Sequence, residues 1–216
     1  GDGRLAMELA RQSDLFVYGI EPDADKVFQA RARLEAAGLY GSRVMILQGD
    51  PSDTKLPIYF ANLIVSSQSR KSPLSKPIRD EAHRLLRPYG GVFVHGETVF
   101  KRGKLAGAGQ WTHQYADPAN TVNSGDDLVK GPLGMLWFRD LEQQMTQRHG
   151  RGPAPLFKNG ILFSEGVDGL IAVDAYNGRK LWEYHLPGIL KSFDGDHLMG
   201  TSGTGSNYCI SDDSVY

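Results

Sequence analysis

Two glycines one residue apart, Gly1-Asp2-Gly3, lead directly into the helix-forming run Leu5-Ala6-Met7-Glu8-Leu9-Ala10. This pairing restricts the fold more than any other local signal, because glycine lets the backbone turn sharply and lets a ligand approach it closely. The helix that follows offers free N–H groups and the positive end of its dipole, which favours an anionic group. The apolar run Leu15-Phe16-Val17-Tyr18 then leads to a carboxylate, Glu21, eighteen residues beyond Gly3. In a doubly wound sheet such an acid ends its strand beside the glycine turn and accepts from ribose hydroxyls. The stretch reads as a nucleoside-binding unit with Gly1, Gly3 and Glu21 as ligand-binding candidates. No strand stands before Gly1, so the expectation is a piece of a longer domain that lacks its first strand.

Helix and strand signals alternate through the next eighty residues. Pro22-Asp23-Ala24-Asp25 supplies a cap and acidic first-turn residues, and Val27, Ala30, Leu34 and Ala37 recur at helical spacing up to Gly38. Val44-Met45-Ile46-Leu47 reads as a strand ending at Gly49-Asp50, and Asn62-Leu63-Ile64-Val65 as another ending in Ser66-Ser67-Gln68-Ser69. A helix over 78–86 stops before Pro88, and Tyr89-Gly90-Gly91 turns into the strand Val92-Phe93-Val94. Such alternation predicts a parallel sheet whose polar strand ends form the ligand edge. His83 and His95 read as a helix-surface and a strand-end residue.

A net charge of −1 over 216 residues gives no electrostatic case for nucleic acid or an acidic membrane. Arg70, Lys71, Lys76 and Arg79 read as a solvated loop. The single cysteine, Cys209, excludes an internal disulfide and a cysteine-based zinc site, and reads as a small buried hydrophobe. No run of eighteen apolar residues predicts a membrane span. Composition shifts near residue 109, because all three tryptophans (Trp111, Trp137, Trp182) and most glycines lie beyond it. Helix formers thus give way to strand and turn residues. Two domains of different class are expected, joined at Gly103-Lys104-Leu105-Ala106-Gly107-Ala108-Gly109.

Taken together, Gly1-Asp2-Gly3-Arg4-Leu5, Gly19 and Glu21, Gly49-Asp50, and Leu85-Leu86-Arg87-Pro88-Tyr89-Gly90-Gly91 resemble the class I S-adenosylmethionine-dependent methyltransferases over about residues 1–100. The resemblance implies a truncated Rossmann-like methyltransferase sheet. It implies that Gly1 and Gly3 approach the methionine part of S-adenosylmethionine, that Glu21 holds the ribose, and that Asp50 faces the adenine amino group. Gly1-x-Gly3-x-x-Ala6 also fits a dinucleotide enzyme, but that pattern requires neither Asp50 nor the Pro-x-Gly-Gly turn. The chain departs from the family after Val94, where no sixth or seventh strand is expected. It also carries Ser66-Ser67-Gln68-Ser69 in place of the Asn/Asp-Pro-Pro-aromatic motif of amino-group methyltransferases. No catalytic residue is assigned, because methyl transfer depends mainly on in-line placement of the acceptor.

Beyond Gln110, Trp111-Thr112-His113 and the polar stretch 120–127 fit no regular element, whereas Leu133-Gly134-Met135-Leu136-Trp137-Phe138 reads as a strand. Residues 139–152, with Gln143, Gln144, Gln147, Arg148, His149 and Arg151, read as an exposed connection, and nothing spaces His113 and His149 as metal ligands. Short apolar runs at 155–157, 161–163, 170–175 and 180–184 are separated by Asn159-Gly160, Gly166-Val167-Asp168-Gly169 and Asn177-Gly178. These predict four successive antiparallel strands, with Asn177-Gly178 as the tightest turn. Ala172-Val173-Asp174-Ala175-Tyr176-Asn177-Gly178-Arg179-Lys180-Leu181-Trp182 resembles the pyrroloquinoline-quinone-type repeat, A-x-D-x-x-x-G-x-x-x-W, with Asn177 where threonine is usual. That resemblance implies one blade of a β-propeller, with Trp182 packing between blades and 197–199 and 208–216 opening another. No quinone binding by these residues is expected, because turn and packing needs account for Asp174, Gly178 and Trp182.

The expected organisation is α/β then all-β: a methyltransferase-like domain over 1–102, a connecting segment over 103–152, and a partial propeller over 153–216. Large planctomycete-type bacterial proteins combine such parts. The leading expectation for function is S-adenosylmethionine binding with methyl transfer to an unidentified acceptor. The alternatives are a non-catalytic scaffold that binds a protein partner and, behind it, a quinone-dependent oxidoreductase. The residues fix no compartment; an active methyltransferase suits the cytoplasm, and the propeller also suits an exported form.

Overall fold

The structure is a computed structural model, and it describes residues 1–66, 73–140, 153–166, 168–187 and 208–216. Ser67, Gln68, Ser69, Arg70, Lys71, the 141–152 stretch with His149, Val167 and the 197–199 run lie outside the described residues. The chain forms two units, one of Gly1–Leu86 with Gly91–Lys101 and one of Arg87–Gly90 with Arg102–Tyr216.

In the first unit, α1 (Arg4–Arg11) starts directly after Gly3, which sits at φ 83. β1 (Val17–Glu21) pairs in parallel with β2 (Val44–Gln48), in register from Val17↔Val44 to Glu21↔Gln48. Between them runs α2 (Ala24–Ala36), whose N-cap Asp23 accepts from the amides of Asp25 and Lys26. It ends at Gly38, which adopts φ 69. The helical spacing of Val27, Ala30 and Leu34 meets the alternate residues Val44 and Ile46, and with Ala10 they form a closed apolar cluster. β3 (Leu63–Val65) pairs in parallel with β4 (Val92–His95). The connecting helix α3 (Lys76–Leu85) starts two residues earlier than predicted, with proline in its first turn, and Leu86 is already extended.

A strand does follow Val94, contrary to expectation. β5 (Thr98–Lys101) pairs antiparallel with β4, with His95 opposite Thr98 across Gly96-Glu97. Gly96 at φ 59 makes the two-residue turn, and Thr98-Val99-Phe100 supplies β-forming residues. The parallel pairs with their crossover helices make this unit α/β.

The second unit carries one four-stranded antiparallel sheet, in the order β6 (Leu156–Lys158), β7 (Ile161–Gly166), β8 (Gly169–Asp174) and β9 (Lys180–His185). All six residues of β8 are buried, so both of its faces are covered. Leu156, Phe163, Leu170 and Ala172 pack with Tyr208 and Ile210. Cys209 between them is only half-buried, less than the sequence suggested. Trp111 adds an antiparallel bridge to Phe157. No sheet among the described residues closes on itself.

Two expectations for this unit are corrected. Asn177-Gly178 is not the tightest turn, because Asn159-Gly160 is a two-residue link with φ 50 and 78, whereas five residues separate β8 from β9. Residues 133–138 form no strand. Leu133 and Met135 there are about four-fifths exposed, while the Trp137 indole donates to the Ala175 carbonyl at 2.8 Å. A β-forming composition makes a strand only when a ladder partner accepts it, and here one side-chain anchor serves instead.

Candidate functional site

The first three residues form a turn held from behind. Arg33 of α2 donates Nη1 to the Asp2 carbonyl at 2.6 Å and to its carboxylate at 2.8 Å. That hydrogen bond, with help from Arg4, holds the Asp2 carboxyl below the usual range. Gly3 has little space for a side chain, since an added Cβ would lie 3.0 Å from that of Ala30. The glycine there serves the close approach of α1 to α2 as much as the turn.

Glu21 ends β1, and its side chain is 12% exposed. One carboxylate oxygen accepts from the Asp23 amide at 3.1 Å, and the other meets the Gly1 amine. The structure therefore brings Gly1 and Glu21 together, with Gly3 in the same turn. Asp50 lies one strand over, just past the end of β2, where the Gly49 amide donates to the Glu21 carbonyl at 3.1 Å. Its Oδ1 accepts from the Ser52 amide and hydroxyl at 2.8 and 2.7 Å, which lowers the pKa of the carboxyl. No described residue donates to Oδ2, so that oxygen is available to an incoming donor.

Sequence reading missed the groups that hold these pieces in place. Arg33 is one, and Arg31 is another, donating Nε and Nη2 to the Ile46 carbonyl at 3.0 and 2.8 Å. Beyond Asp50, the Thr54 amide and hydroxyl donate to Glu81 of α3 at 2.9 and 2.6 Å. No local pattern announces a partner this far along the chain.

A shallow cavity of about 360 Å³ lies among Thr112, Asp117, Thr121 and Ser124 in the second unit. Another of about 150 Å³ lies at the opposite strand ends, beside Phe16 and Arg43. Neither is lined by Gly3, Glu21 or Asp50. His113 meets the Thr112 hydroxyl at 2.9 Å, and no group of three His, Cys, Asp or Glu among the described residues could hold a metal ion. Lys76 pairs with Asp80 at 2.6 Å on the helix surface.

Asp174, Gly178 and Trp182 each make contacts within the second unit. Asp174 is fully buried; it accepts from the Tyr176 amide at 3.0 Å, and Arg87 Nε meets its Oδ2 at 2.8 Å. Gly178 adopts φ 72, and an added Cβ would strike the Trp137 ring. Trp182 packs on Phe163 with ring centroids 5.8 Å apart.

No protein-family model matches the chain. Among curated proteins it is 26% identical over 132 residues to quinohemoprotein alcohol dehydrogenase ADH IIB of Pseudomonas putida, an alignment that covers 60% of this chain and 16% of that protein. Similar solved structures include a proposed S-adenosyl-L-methionine-dependent methyltransferase of Methanococcus maripaludis. It is 28% identical, with TM-score 0.40, over 44% of this chain and 45% of the other. The 4+2 cyclase SpnF is 26% identical with TM-score 0.39, over 43% of this chain and 34% of the other. A proposed sarcosine dimethylglycine methyltransferase of Galdieria sulphuraria is 20% identical with TM-score 0.40, over 43% and 35% of the two chains. The chain thus spans less than half of each solved structure and about a sixth of the curated relative.

Proposed function

We propose that the first unit binds S-adenosylmethionine and presents it for methyl transfer to an unidentified acceptor. The observation that carries this reading is the Glu21 carboxylate at the end of β1, facing the glycine turn that starts α1. Its two oxygens suit the two ribose hydroxyls, Gly1 and Gly3 admit the chain of the ligand, and the first turn of α1 favours the methionine carboxylate. Asp50 Oδ2 accepts from the adenine amino group. The second unit, in this reading, is one blade of a quinone-type repeat propeller serving as a partner surface. Asp174 and Trp182 are committed to the blade, so no quinone site is proposed on them.

Calorimetric titration of the intact protein with S-adenosylmethionine and S-adenosylhomocysteine tests the reading. Hydrogen bonds to a charged acceptor contribute about 1.5 to 3 kcal/mol each, so Glu21→Ala weakens binding at least about tenfold. Asp50→Ala costs less, because water replaces part of one contact. An intact wild type that binds neither ligand at millimolar concentration leaves the scaffold reading.

A further inference from the structure

We propose that Glu81 and Arg84 of α3 are positioning residues that clamp the loop between β2 and β3 and so fix Asp50 to select an amino-bearing purine. This rests on the cofactor reading above and adds a specificity device to it. The loop leaves β2 at Gln48, reaches β3 at Leu63, and is fixed at two places between them. At its start, the Asp53 amide donates to the Asp50 carbonyl at 3.0 Å and Ser52 holds Oδ1, which aims the carboxylate. At its middle, Thr54 donates twice to Glu81 Oε1, and Arg84 Nη2 donates to the Leu56 carbonyl at 2.7 Å. Arg84 also grips Glu81, Nε to Oε2 at 2.7 Å and Nη2 to Oε1 at 2.8 Å.

Glu81 is only 7% exposed, so this is a buried carboxylate whose two oxygens accept four hydrogen bonds. A buried acid on a surface-facing helix is costly unless paired, and its donors come from the loop and from its own helix. Loop closure by itself does not call for a buried charge, since its entropic cost grows only slowly with length. What the anchor adds is a fixed position for the Asp50 carboxylate, whose Oδ2 is open to a ligand. Accepting from an exocyclic amine is favourable there, whereas a 6-oxo purine sets oxygen against oxygen. Discrimination built on one polar contact depends on how tightly the acceptor is held.

The experiment compares binding of S-adenosylhomocysteine and S-inosylhomocysteine to the intact wild type and to Glu81→Gln, Thr54→Val and Thr54→Ser, with amide exchange at residues 50–56 as a second readout. The wild type is expected to prefer the amino purine at least about tenfold. Glu81→Gln and Thr54→Val reduce that ratio to within about threefold, with the inosyl ligand bound as in wild type and the Thr54 amide deprotected. Thr54→Ser keeps the hydroxyl and keeps the ratio. A merely structural role lowers both affinities together and leaves the ratio unchanged, and that result in a folded Glu81→Gln protein overturns the proposal. If the wild type binds neither ligand, the cofactor reading and the purine-selecting role fall together. Unchanged exchange at Thr54 in Glu81→Gln removes the clamp itself.

Discussion

Gly3 and Gly38 share a left-handed backbone but differ in surroundings, and the contrast gives a prediction. Gly3 at φ 83 also faces Ala30, whereas Gly38 at φ 69 faces open space. Alanine at Gly38 pays the left-handed conformation alone, about 1 kcal/mol. At Gly3 the steric clash adds to it, so Gly3→Ala should cost about 2 kcal/mol or more by denaturant unfolding. Equal losses at the two positions would contradict the close packing of α1 on α2. Glu81 gives a second prediction. Its hydrogen bonds with Arg84, and then with Thr54, lower its pKa from 4.5 to about 2 despite burial. A folded pKa below the unfolded one means its contribution is complete above about pH 4.5 and is lost as the pH falls toward about 2. The melting-temperature gap between wild type and Glu81→Gln should therefore be widest near neutrality and close across that window. The turn at Gly3 and the helix cap at Asp23 were legible in the sequence because turning and capping act on adjacent residues. Arg33, Thr54 and Glu81 were not, because their partners lie 27 or 31 residues away.

At the scale of elements, hydrophobic period located α2 and an apolar run located β2, and the residues Val27, Ala30, Leu34 and Val44, Ile46 meet each other in one cluster. β5 was missed because it is exposed along its whole length, leaving no burial pattern to read. The opposite error at residues 133–138 has the same root: apolar composition does not say whether a partner strand exists. The Asn-Gly pairs marked the hairpins, but which is tighter depends on strand register, which is set by packing of the whole sheet. The β6–β7 turn yields the next prediction. Gly160 adopts φ 78, and an added Cβ would lie 2.9 Å from the Tyr89 ring within the second unit, so Gly160→Ala should cost at least about 1 kcal/mol. Asn159→Gly should be tolerated within about 0.5 kcal/mol, since φ 50 suits glycine. Urea unfolding followed by tryptophan fluorescence separates these outcomes, and a neutral Gly160→Ala would count against the turn.

For the molecule as a whole, the sequence suggested that Arg87-Pro88-Tyr89-Gly90 leads into a strand inside the first domain, whereas these residues group with the second unit. There Tyr89 stacks on Tyr176 with centroids 6.2 Å apart, and Arg87 pairs with Asp174. Chain order hid this, since Arg87 and Tyr89 each lie 87 residues before their partners, Asp174 and Tyr176. Asp174 is fully buried and Arg87 13% exposed, so water cannot replace the guanidinium when it is removed. Removing one member of a buried pair typically costs about 3 to 5 kcal/mol, because the remaining charge is left uncompensated. Arg87→Met should therefore destabilise the second unit by about that much. Pairing it with Asp174→Asn should recover part of the loss, because the neutral amide no longer needs a cation while it keeps the acceptor for the Tyr176 amide. A piece of residues 110–216 lacks Arg87 and Tyr89 altogether and should self-associate or melt without cooperativity. A double-mutant cycle on the intact protein, measured by denaturant unfolding, is the decisive experiment. A coupling above about 1 kcal/mol is expected for residues in one ion pair, and strictly additive losses would mean that the Arg87 segment does not hold the four-stranded sheet.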